Sequence, residues 1–129
     1  MSVLAFSVSV AGTKQEHLVK LSVRKAGRVT ILDFEGALKL GDGEEALRER
    51  VQQILDSGET RVAFNLAKLT DLDSSGIAVL MRSFASLNRA GGKCTFYAVG
   101  SRVKMLLKMV RLDAILDITE DEGSALARL

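Results

Sequence analysis

A chain of 129 residues is long enough for one domain with a true core. Apolar residues make up 47% of it and charged residues 26%, which excludes both an intrinsically disordered chain and a membrane-embedded one. The net charge is only +2 and the basic residues are spread along the sequence, so nucleic acid is not an expected partner.

The opening Met1 to Ala11 is small-residue-rich and mildly apolar but lacks the basic residue that starts a secretory signal. Within it Phe6, Val8 and Val10 alternate with Ser7 and Ser9, which reads as a strand or a loose arm. Residues 1–16 are therefore set apart as an N-terminal arm or extra strand, and 17–129 are expected to form the domain. His17 to Lys25 and Arg28 to Phe34 read as two strands joined tightly through Ala26-Gly27, with Gly36 ending the second. Asp42 to Ser57 reads as a helix. Leu47, Val51, Ile54 and Leu55 form its stripe, Asp42, Glu44 and Glu45 suit its positive end, and Gly58 suits its C-terminal cap.

A strand is expected over Arg61 to Leu66, where Val62, Phe64 and Leu66 alternate, followed by a short loop. Then comes Asp71-Leu72-Asp73-Ser74-Ser75-Gly76-Ile77 and a helix whose stripe is Ile77, Leu80, Met81, Phe84 and Leu87. Arg82, Ser86 and Arg89 repeat on its polar side, and Gly91-Gly92 stops it. Lys93 to Val99 reads as a strand, with Ser101 able to cap the next helix. The stripe of that helix is Val103, Leu106, Leu107 and Val110; Lys104, Lys108 and Arg111 mark a basic face. A brief strand near Ile115 to Ile118 and a helix from about Asp121 close the chain. The order implies a single α/β domain: a mixed four- to five-stranded sheet packed with about four helices.

Little in this sequence suits catalysis. The one histidine, His17, is remote from any nucleophile, and Asp73-Ser74-Ser75-Gly76 lacks the glycines of a nucleophile elbow. One cysteine and one histidine make no transition-metal site, and Asp42, Asp71 and Asp73 read as turn and cap residues. The single cysteine, Cys94, allows no intrachain disulfide, sits in an apolar strand, and suits a reducing compartment. Gly41-Asp42-Gly43-Glu44-Glu45-Ala46 matches a dinucleotide fingerprint in form, but its three carboxylates would face a phosphate with the wrong charge. No catalytic residue, metal or cofactor is therefore expected. The basic face with Met105 and Met109 reads equally as a solvated helix surface and as a docking face. The two serines read either as helix caps or as a phosphoacceptor, since a phosphate at a helix N-terminus meets free N–H groups and a favourable dipole.

Asn65-Leu66, Leu69 and Leu72-Asp73-Ser74-Ser75-Gly76-Ile77-Ala78-Val79-Leu80 resemble the signature of STAS domains, specifically bacterial anti-sigma factor antagonists. The likeness continues through Gly91-Gly92, the Val103 to Met109 segment and Leu112 to Leu116, and spans roughly residues 20 to 127. It implies a cytoplasmic, non-enzymatic STAS-like partner-switching protein in transcription regulation. Such an antagonist binds an anti-sigma factor that is also a serine kinase, is released when phosphorylated, and is restored by a PP2C-type phosphatase. The resemblance assigns the phosphate to Ser74, with Ser75 the second choice. It implies a partner-binding face of Asp73, Ser75, Gly76, Ile77, Lys104 and Met105, with no cofactor in this chain. The alternative is a STAS subunit of a transporter or other complex with no sigma-factor role. One departure stands out: many members carry an aspartate three residues after the glycine matched by Gly36, and here that residue is Lys39, in a Gly36-x-Leu38-x-x-Gly41 variant. Asp42 is a candidate substitute for that acidic group.

Overall fold

The computed structural model describes residues 3–7 by their backbone and residues 19–129 in full. One sheet holds six strands whose spatial order is their chain order: β1 (Val3–Ser7), β2 (Lys20–Ala26), β3 (Val29–Leu38), β4 (Arg61–Leu72), β5 (Lys93–Tyr97) and β6 (Ile118–Thr119). The first three are antiparallel neighbours, and the remaining pairs are parallel. The helices are α1 (Asp42–Asp56), α2 (Ser74–Arg89), α3 (Ser101–Met109) and α4 (Glu122–Arg128), with a 3₁₀ turn at Leu112–Ala114. The expected α/β domain is thus present, with two short edge strands completing the sheet. Val8, Val10 and His17, assigned to strands from the sequence, lie outside the described residues.

The two faces of the sheet are built differently. Alternate residues of β2 to β5, including Leu21, Leu32, Phe34, Phe64, Leu66 and Phe96, join α1, α2 and α3 in the main core. Phe34, Phe64 and Phe96 form a row across three strands, with ring centroids 5.7 and 4.7 Å apart. The opposite face carries a smaller cluster of Val29, Ile31, Ala63 and Tyr97 under Ala125 of α4. α1 closes as expected: Gly58 N–H donates to Leu55 O and Glu59 N–H to Ile54 O, which satisfies the last carbonyls of the helix.

Several local expectations are corrected. β3 does not end at Gly36 but runs on to Leu38, and β4 does not stop at Leu66 but continues to Leu72. The register between them shifts twice, at Asp33/Glu35 and at Gly36/Ala37. Gly36 adopts φ 102°, a left-handed conformation that lets the ladder bend and resume. Because of the shifts, the buried Leu66, Leu69 and Leu72 recur every third residue, which hides the strand from a period-two reading.

On α2 the fully buried residues are Gly76, Val79, Leu80, Ser83 and Leu87, whereas Ile77, Met81 and Phe84 pack from the margin. The helix sits close enough to the sheet for small residues to face it, and Ser83 donates its hydroxyl to Val79 O at 2.7 Å. Ser101 does not cap α3; Gly100 holds the cap position without a side-chain hydrogen bond. Val110 is 50% exposed, since the helix ends at Met109 and Leu112 takes the buried place. The last strand is shifted to Ile118–Thr119, leaving Ile115 exposed.

Candidate functional site

The loops leaving β3 and β4 meet at the C-terminal ends of these parallel central strands, and Asp73 ties them together. It occupies the N-cap of α2 with extended backbone angles, and its Oδ1 accepts from Gly76 N–H at 2.8 Å. Its Oδ2 accepts from Leu40 N–H at 3.0 Å, and its own N–H donates to Leu38 O at 3.4 Å. One carboxylate therefore satisfies a first-turn donor of α2 and a loop donor after β3. Gly76 makes the close approach possible. A Cβ built there would lie 2.1 Å from Leu38 O, inside any permitted contact.

The serines are left free by this arrangement. Ser74 is exposed and Ser75 half-buried, and neither hydroxyl has a hydrogen-bond partner among the described residues. The capping alternative for them is thereby set aside, because Asp73 performs that role. The first turn of α2 holds no acidic residue. Its leading N–H groups and the helix dipole leave it receptive to an anion.

Asp71 lies beneath this turn between two cations: Arg102 Nε at 3.2 Å from Oδ1 and Lys39 Nζ at 3.5 Å from Oδ2. Partial burial pushes its carboxyl up. The Leu72 amide, the Arg102 guanidinium and the Lys39 ammonium outweigh that and hold it below the usual carboxylate value. Lys39, which departs from the family pattern, thus has a defined partner. Asp42 opens α1 and makes no hydrogen bond to the α2 junction, so no contact supports it as a substitute acid.

Lys104 and Met105 are exposed on α3, whose first turn reaches the junction through the Arg102–Asp71 pair. Ile77 is half-buried beside the main core. The fold therefore links the α2 start to the α3 surface through one ion pair. Sequence reading missed the Lys39–Asp71–Arg102 set, because no local pattern connects three residues on three different elements.

Cys94 is buried, and desolvation, with Asp117 nearby, pushes its thiol well above the ordinary value. Among the described residues no group of acidic, histidine or cysteine side chains could hold a metal, and no helix is long and apolar enough to cross a membrane.

The sequence profile of the STAS domain matches residues 20–125. The chain belongs to the STAS domain family. Its fold is shared with solved structures at low sequence identity. An anti-sigma factor antagonist from Mycobacterium paratuberculosis is 16% identical, with a TM-score of 0.73 over 85% of this chain and 92% of that one. The Bacillus cell fate determinant SpoIIAA in its phosphorylated form is 17% identical, with a TM-score of 0.67 over 84% and 97% of the two chains. The murine anion transporter Slc26a9 is 13% identical, with a TM-score of 0.68 over 97% of this chain and 21% of the transporter. On this STAS fold the Asp73 to Ile77 signature falls at the start of α2.

Proposed function

We propose that this STAS protein is a cytoplasmic anti-sigma factor antagonist that works by phosphorylation-controlled partner switching, with Ser74 as the acceptor. The observation that carries the reading is the division of labour at the α2 start. Asp73 caps the helix, so the exposed Ser74 hydroxyl is not committed to holding the fold. Unphosphorylated, the chain binds an anti-sigma factor that is also a serine kinase, through Asp73, Ser75, Gly76, Ile77, Lys104 and Met105. The kinase moves the γ-phosphoryl group of its ATP onto Ser74 Oγ, the hydroxyl proton leaves to a kinase base, and ADP is released. Nearly two negative charges then stand beside Asp71 and Asp73, compete for Lys39 and Arg102, and disfavour an interface formed with the neutral serine. A PP2C-type phosphatase restores the binding form. This chain needs no catalytic group of its own for any step.

Peptide mass spectrometry of the protein recovered from its native cell tests the reading. A phosphate on Ser74 that disappears on phosphatase treatment is expected. A Ser74→Ala chain should hold the kinase while escaping phosphorylation, and Ser74→Asp should bind it at least about tenfold more weakly. Equal affinity of Ser74→Asp and the unsubstituted chain would sink the switch. The match of nearly the whole chain to about a fifth of an anion transporter favours a second reading, a small STAS partner of a membrane complex. That reading predicts no Ser74 phosphate in growth, starvation or stress.

A further inference from the structure

We propose that the outward stripe of α3 docks an acidic amphipathic helix of the binding partner, as a second contact beside the α2 start. Among the described residues five large apolar side chains are exposed, and four of them fall between residues 105 and 115: Met105, Met109, Val110 and Ile115. Single exposed apolar residues are ordinary, but a cluster marks an interaction surface. Met105 and Met109 are one turn apart on the side of α3 opposite the buried Val103 and Leu107. Helical periodicity places Lys104 and Lys108 along one flank of this stripe and Arg102 along the other.

The charge of the surface decides the chemistry of the partner. Lys104, Lys108 and Arg111 are exposed and engage no carboxylate among the described residues, whereas Arg102 binds Asp71. An apolar row with Lys104 and Lys108 along one flank complements a helix whose apolar row carries glutamates or aspartates on the facing side. Methionine suits such a groove because its flexible thioether adapts to the opposing side chains. A lipid surface is the poorer fit: the segment from Ser101 to Leu116 holds no tryptophan, tyrosine or phenylalanine to seat at the headgroup boundary. The Arg102–Asp71 pair makes this surface continuous with the proposed switch. The fifth exposed apolar residue, Leu40, lies on the other side of the same junction through its bond to Asp73.

The proposal rests on the partner-binding role argued above but is tested without the kinase. Full-length ¹⁵N-labelled protein is titrated with a synthetic peptide of about four helical turns, bearing a leucine row flanked by glutamates. Saturable amide shifts confined to residues 102–115 are expected, and they should weaken as salt is added. Lys104→Glu with Lys108→Glu should lower the affinity by about tenfold or more, and a peptide with lysines in place of the glutamates should not bind. Shifts centred elsewhere, indifference to the charge reversal, or capture by phosphatidylglycerol vesicles without peptide binding would each overturn the proposal. A chain phosphorylated at Ser74 but blind to the peptide removes only this inference; a chain that binds the peptide and is never phosphorylated removes only the switch.

Discussion

The start of α2 and the whole of α4 are both pinned to the sheet, but by different physics. At α2 every anchor ends on backbone: Asp73 reaches Gly76 N–H and Leu40 N–H, and Gly76 lies against Leu38 O. At α4 the anchors are charged side chains. Glu122 accepts from Arg24 and from the Tyr97 hydroxyl, Arg24 also holds Asp33, and Arg128 pairs with Asp117. Asn65 extends this set by donating to Asp33 at 2.7 Å. Packing of Gly76 directly against the Leu38 carbonyl fixes geometry without relying on an ion pair. Ion pairs that are partly open to water contribute less and depend on pH and salt. The segment carrying the candidate phosphoacceptor is thus held by bonds to backbone groups rather than by ion pairs, while Ser74 stays exposed.

The largest effect is expected from Gly76→Ala. In an open helix that change would add roughly 1 kcal/mol of stability through propensity. Here the methyl group meets a backbone carbonyl at 2.1 Å, and neither β3 nor α2 can yield without breaking ladder or cap hydrogen bonds. The sign should reverse, with a loss on the order of 3 kcal/mol, read as a lower urea midpoint at unchanged m-value. A gain in stability would refute the close-approach argument. Asp73→Ala comes next, at about 1–2 kcal/mol for a lost cap, with Leu40 N–H left to water. Asp73→Asn sharpens the point: its oxygen can keep the Gly76 bond, but its amide group is a donor where Leu40 N–H also donates. It should fall between the alanine variant and the unsubstituted protein. If it matched the unsubstituted protein, the second arm of the Asp73 clamp would carry no weight.

The same contrast explains what was legible in the sequence. The amphipathic helices, the β2–β3 hairpin and the serine-bearing turn follow from short-range periodicity and turn chemistry and are in place, with the hairpin turn at Gly27-Arg28, one residue later than Ala26-Gly27. The ends of β3 and β4 were hidden because their register shifts spoil the alternation that marks a strand. The choice of Asp73 over the serines as cap could not be read, since all three residue types suit that position. What decides it is Leu40, thirty-three positions earlier, whose amide needs an acceptor at that point. Lys39, Asp71 and Arg102 likewise meet only after folding. Local chemistry marked a candidate site; long-range packing decides which of its residues caps the helix.

The smallest effect, and the one that separates the two regions most cleanly, is the acid titration of the α4 anchor. The Arg24 guanidinium first, then the Tyr97 hydroxyl, hold the Glu122 carboxyl below its ordinary value against a smaller opposing push from burial. A carboxylate whose folded value is depressed adds stability above its unfolded value, near 4.3, and that contribution is lost as pH falls through the lower folded value. Arg24 stays charged throughout, its own affinity for the proton raised mainly by Asp33 and then Glu122. Glu122 is 40% exposed on its side chain, so the loss should stay under about 1 kcal/mol. It can still be read, because Tyr97 is the one tyrosine and the chain has no tryptophan. Tyrosine emission should therefore change with a midpoint below the ordinary glutamate value, and Glu122→Gln should abolish that transition. Glu122→Gln should also shift the amide signal of Ala125 while leaving those of Ser75 to Ile77 in place, since the α2 cap does not touch Glu122. Movement of both sets on that substitution would mean that the two regions are coupled and that the clamp at α2 is not independent of the charges behind the sheet.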